Sequence, residues 1–154
     1  MAAGLAVRPD MMPELRAFLA DYLRSEQAIA AASDAVEVDA LLSVSGANRP
    51  LYEDFQRLAP FGPGNPEPVF ALSGVRAEQV MNLKGGHVRC ILVDETGAKV
   101  RAVAWRSAET AVGKRLIEGG SSLNAVGKLR PDDWQGRNGV EFEIEDIADP
   151  RRLS

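Results

Sequence analysis

Residues 87–106 read HVRCILVDETGAKVRAVAWR, and the reading of this stretch decides the fold. Val88, Cys90 and Leu92 alternate with His87, Arg89 and Ile91; further on, Val100, Ala102 and Ala104 alternate with Lys99, Arg101, Val103 and Trp105. A period of two is that of a strand with one face buried and the other outward. Asp94-Glu95-Thr96-Gly97 lies between the runs and predicts a tight turn, so the two strands form a hairpin. One face of this hairpin is small and apolar. The other carries cations, an imidazole and an indole.

Working outward, strands are predicted at 69–81, 87–94, 98–106, 122–130 and 139–147. One helix falls between the third and fourth. Ser107 is placed to cap it, Ala111, Val112, Leu116 and Ile117 form its apolar face, and Gly119-Gly120 ends it. Three strands, a helix and two strands is the plan of an OB-fold, a five-stranded barrel that binds oligonucleotides on strands 2–3 and on the loops after strands 1 and 4. The fold class expected is therefore α+β: an OB barrel at 69–150 preceded by a small truncated α/β segment. Residues 60–68, PFGPGNPEP, hold four prolines and two glycines, which suit neither a helix interior nor a central strand. They predict a rigid connector. Ahead of it the sequence predicts a strand at 2–8 and a helix from Asp10 with Leu15, Phe18, Leu19, Tyr22 and Leu23 on one face. A strand follows around Val36–Ala40, then a short helix from Pro50 with Leu51, Phe55 and Leu58 on one side.

The chain has 154 residues, 45% hydrophobic and 26% charged, enough to bury a core. One cysteine, Cys90, excludes a disulfide framework, and one histidine, His87, excludes a His-rich metal centre. Neither a secretory signal nor a membrane-length apolar run is seen, so a cytoplasmic chain without a membrane partner is expected. Charge is unevenly spread: residues 1–81 carry net −5, residues 82–140 net +4 and residues 141–154 net −3. A cationic middle in an acidic chain fits a polyanion-binding surface.

The outward residues His87, Arg89, Lys99, Arg101 and Trp105 suit a single nucleic-acid strand, where cations follow phosphates and rings stack on bases. Lys84, in the Gly-containing turn before strand 2, joins them. So do Lys128, Arg130, Trp134 and Arg137, assigned to the segment joining strands 4 and 5. The Glu141, Glu143, Glu145 alternation reads as a solvated face and Asp132-Asp133 as a solvated turn. Cys90 reads as a small buried hydrophobe. No nucleophile–base set and no carboxylate cluster for two metals is found. The outward face is expected to hold a single strand of nucleic acid. The competing reading is a protein-interaction module whose basic face meets an acidic partner.

The stretch LAPFGPGNPEPVF at 58–70 resembles the linker signature of the RecJ family of single-strand-specific DNA exonucleases. Met1-Ala2-Ala3-Gly4-Leu5 resembles the end of that family's Gly-Gly-His-x-Met-Ala-Ala-Gly motif in its DHH-associated domain, and Trp134-Gln135-Gly136-Arg137 its Trp-x-Gly-Arg. The resemblance implies that residues 1–59 are the C-terminal part of the DHH-associated domain and that the Asp-His-His core precedes the chain. Mn²⁺ or Mg²⁺ is then expected only in that core, with no cofactor in this chain and no hydrolytic role for its residues. It implies an accessory role for a 5′→3′ exonuclease of DNA recombination and repair. The expected function is then single-stranded DNA binding, with single-stranded DNA and the rest of the exonuclease as partners; in the competing reading the module docks on the exonuclease core or on a single-strand-binding protein.

Overall fold

The computed structural model describes residues 17–18, 36–133, 136–148 and 150. The chain divides into two compact units between Val36 and Glu37. In the first, Ala17 and Phe18 are helical; the strand expected at 2–8 and the rest of the helix from Asp10 lie outside the described residues.

The second unit runs β1 (Ala40–Leu42), α1 (Arg49–Gln56), β2 (Phe70–Leu83), β3 (His87–Val93), β4 (Lys99–Ala104), α2 (Ala111–Glu118), β5 (Leu123–Asp132) and β6 (Gly139–Ala148). All five expected barrel strands are present, with α2 between the third and fourth. Neighbours run β2-β3-β4-β6-β5, and a further β2–β5 pairing closes the barrel. The barrel is an OB-fold. β4 and β6 pair in parallel while the other barrel pairs are antiparallel. β1 adds a parallel strand beside Phe70–Leu72.

The period-two reading of the hairpin holds. Val88, Cys90, Leu92, Val100, Ala102 and Ala104 are all buried in one core with Leu72, Val75, Leu129 and Phe142. Val103 differs: it faces outward yet is buried. In register it stands between Arg89 on β3 and Glu143 on β6, whose long stems flank it. Asp94 organises the hairpin turn, accepting from the Thr96 backbone at 2.9 Å, the Thr96 hydroxyl at 2.6 Å and the Ala98 backbone at 3.1 Å. Led by the hydroxyl, these bonds hold its carboxyl below the ordinary carboxylate value.

Three boundaries differ from the sequence reading. Thr110, not Ser107, caps α2, accepting from the Gly113 backbone, while Ser107 is buried and donates to the Ala104 carbonyl. Ser107 is drawn inward because the chain turns at Arg106, where φ is +50°. Leu58 falls beyond the end of α1 and is exposed, so only Phe55 and partly Leu51 and Tyr52 face the core. The strand expected around Val36–Ala40 falls instead at Ala40–Leu42, where it pairs with Phe70–Leu72. Val44, Ala47 and Phe55 enter the barrel's core, and the Phe55 ring lies 5.6 Å from Phe70 and 6.4 Å from Phe61. Residues 60–68 are held by their own bonds, with Asn65 donating to the carbonyls of Leu58 and Pro60.

Candidate nucleic-acid interface

The hairpin places side chains on the outer sheet by register alone. Arg89 stands opposite Met81 on β2 and Val103 on β4; Ile91 stands opposite Glu78 and Arg101. Extending the ladder one step beyond Val88–Ala104 sets His87 against Trp105 at the strand ends. Their rings meet edge to face, with centroids 4.9 Å apart. The Arg106 backbone N–H donates to His87 Nδ1 at 2.9 Å, which makes Nδ1 the acceptor and leaves Nε2 on the other side of the ring. A Cβ on Gly85 would come within 2.9 Å of that Nε2, and Gly85 has φ +87°, so the turn needs glycine for both space and backbone. Half of the Trp105 surface remains open at 50%. Lys84 and Arg106, both exposed, have no carboxylate partner among the described residues.

Sequence reasoning passed over Arg106. Strict alternation to residue 106 would turn it inward, whereas its positive φ releases it to solvent beside Trp105. The dipeptide Trp-Arg at a strand end was the available signal.

The remaining expected cations fall into two groups. Lys128 and Arg130 lie on β5 itself, which extends to Asp132, and not in a loop. Lys128 Nζ meets Glu145 at hydrogen-bond distance, and Arg130 is gripped by Glu67 and Glu143 together. Burial opposes the Arg130 charge, but the hydrogen bonds to Glu143 and Glu67 outweigh it and raise its pKa. These two are fastened into the barrel wall. In the second group, the carboxylate contacts of Arg89, Arg101 and Lys99 are long. Arg89 Nε lies 3.3 Å from Glu141 without hydrogen-bond geometry, Arg101 lies 3.8 Å from Asp132 and Lys99 lies 4.0 Å from Glu78. Arg137 lies 3.6 Å from Asp132. Trp134 falls outside the described residues.

The face is therefore a ladder of alternating sign. Parallel pairing of β6 with β4 puts Glu141 beside Arg101 and Glu143 beside Val103, and antiparallel pairing with β5 puts them beside Arg130 and Lys128. The glutamates read as a solvated face point outward as expected, but cations flank them. Asp132, read as a solvated turn, has only 12% of its side chain exposed. Open ion pairs of this kind are worth about 0–1 kcal/mol, whereas stacking a base is worth about 1–3 kcal/mol. The contacts at Arg89 and Arg101 therefore open far more readily than the double grip on Arg130.

Among the described residues no three of His, Cys, Asp and Glu converge on a common point. No helix among the described residues is long and apolar enough to cross a membrane.

A protein-family model described as the RecJ OB domain matches residues 38–146. The single-stranded-DNA-specific exonuclease RecJ of Thermus thermophilus is 28% identical over 155 residues, covering 99% of this chain and 21% of that protein. The Bacillus subtilis protein of the same name is 26% identical over 153 residues, covering 96% of this chain and 19% of its own length. This chain thus spans about a fifth of the relatives it matches. Two crystal structures of Thermus thermophilus RecJ, in complex with Mn²⁺ and with Mg²⁺, superpose with TM-scores of 0.64 and 0.61 at 26% and 27% identity. They cover 96% and 94% of this chain and 20% and 21% of theirs. With a closed OB barrel and a family model spanning most of its length, the chain belongs to the RecJ OB domain family.

Proposed function

We propose that this chain binds single-stranded DNA as the accessory region of a RecJ-like 5′→3′ exonuclease acting in recombination and repair. The observation that carries the reading is the half-open Trp105, braced by His87, with unpaired Lys84 and Arg106 at the same end of the sheet. Trp105 supplies the stacking platform. Lys84, Arg106, Arg89 and Arg101 supply phosphate contacts, with Lys99 and Arg137 at the rim. Lys128 and Arg130 hold the wall in place instead of touching the strand. Cleavage, and the Mn²⁺ or Mg²⁺ it uses, belongs to a catalytic core elsewhere in the parent enzyme, to which this domain delivers DNA.

Fluorescence anisotropy with a labelled oligo-dT tests this. The double change Arg89→Ala with Arg101→Ala is expected to weaken binding several-fold with the barrel intact by circular dichroism. Undiminished affinity in that variant and in Trp105→Ala would sink the reading. An acidic peptide in place of DNA tests the protein-docking alternative, which predicts that the peptide binds and oligo-dT does not.

A further inference from the structure

A cleft of about 360 Å³ opens on the outer face between Arg89, Arg101, Pro131, Asp132, Arg137 and Glu141. Asp133 also borders it but is drawn to Arg49 at 2.6 Å. Neither Arg89 nor Arg101 is well satisfied by the carboxylate beside it. Arg89 Nε is buried and makes no hydrogen bond, although a Glu141 oxygen lies 3.3 Å away. Arg101 stands 3.8 Å from Asp132, beyond hydrogen-bond reach. Glu141 in turn is poorly served. Burial pushes its carboxyl up; Arg89 and Arg101 pull it down, while Asp132 and Glu143 add to the rise. A buried N–H without an acceptor and a carboxylate ionised at a cost are what a site looks like when its proper acceptor is elsewhere.

We propose that this cleft seats one phosphodiester group of the bound strand between Arg89 and Arg101, and that Glu141 is the internal competitor which that phosphate displaces. The inference rests on the DNA-binding reading and deepens it. A phosphodiester spreads its oxygens tetrahedrally about phosphorus, and a non-bridging one can reach Arg89 Nε with charge-assisted geometry. Its charge is of the same sign as that of Glu141, so the two do not share the cleft cheaply. Glu141 therefore lowers affinity, and taking its charge away strengthens binding. A residue that merely positioned Arg89 would act the other way.

The test uses the full chain, with Glu141→Gln, Glu141→Ala, Arg89→Ala and the pair Glu141→Gln with Arg89→Ala. Two probes are titrated at fixed pH and salt: oligo-dT, and an abasic deoxyribose-phosphate oligomer of equal length that offers phosphates without bases. Glu141→Gln and Glu141→Ala are expected to tighten both probes several-fold, and the gain is expected to vanish when Arg89 is also absent. Thermal melts confirm that each variant is folded. Equal or weaker binding by the folded Glu141 variants overturns the proposal, as does a gain that survives loss of Arg89. If instead Trp105→Ala and the Arg89/Arg101 double variant bind oligo-dT like the parent, the DNA reading itself has failed.

Discussion

Trp105 and Arg130 both stand on the outward side of the barrel, and their neighbours give them opposite roles. Trp105 leans on one imidazole edge and keeps half its surface open, so removing it takes little from the fold. Trp105→Ala is expected to cost about 1–3 kcal/mol of oligo-dT affinity, the worth of a stacked base, with an unchanged melting temperature. Arg130 is engaged by Glu67 and Glu143 at once. Arg130→Ala should lower stability by about 1 kcal/mol, read by urea titration, and leave the affinity for DNA nearly intact. Cys90 points the other way, into the core, where burial and then the charge of Glu141 push its thiol up to about 12. The reactive thiolate is thus almost absent at neutral pH. An aromatic disulfide reagent is expected to leave Cys90 untouched in the native chain and to titrate it in denaturant; rapid native reaction would contradict its placement.

At the scale of elements, β6 does most to shape the site. It lies between β4 and β5, and its outward glutamates divide the cations into fastened and loose sets. The approach of β5 to β6 is close at Gly127, where a Cβ would fall 1.9 Å from the Glu143 carbonyl oxygen. Gly127→Ala would have to push the strands apart just where Glu143 holds Arg130. The expected loss is on the order of 1–3 kcal/mol or more, visible as a lower urea midpoint. Nothing in the local pattern marks this glycine, because the need for it arises from the neighbouring strand. The α2 cap shows the same limit. Ser107 and Thr110 are equally good capping residues by type, and the turn at Arg106 determines which one meets the free backbone N–H.

For the whole molecule, the net positive charge of residues 82–140 overstates what a polyanion meets. Lys128 and Arg130 contribute to that sum but remain occupied, and Glu141, Glu143 and Glu145 come from a segment of opposite sign folded beside them. Salt dependence is the measure: each phosphate contact on a single strand adds about −0.7 to the slope of log K against log salt. Replacing both Lys128 and Arg130 with alanine should leave that slope unchanged, while the Arg89/Arg101 double variant should flatten it by about 1.4. Strand order, the hairpin, the two faces of β3 and β4 and the position of α2 were all legible in the chain, since a two-residue period states which side of a sheet each side chain occupies. The likeness around the proline-rich stretch pointed to the family. Who stands opposite whom was not legible. A period specifies the side but not the neighbour, and only barrel closure, with β6 parallel to β4, decided which arginines are spent on carboxylates.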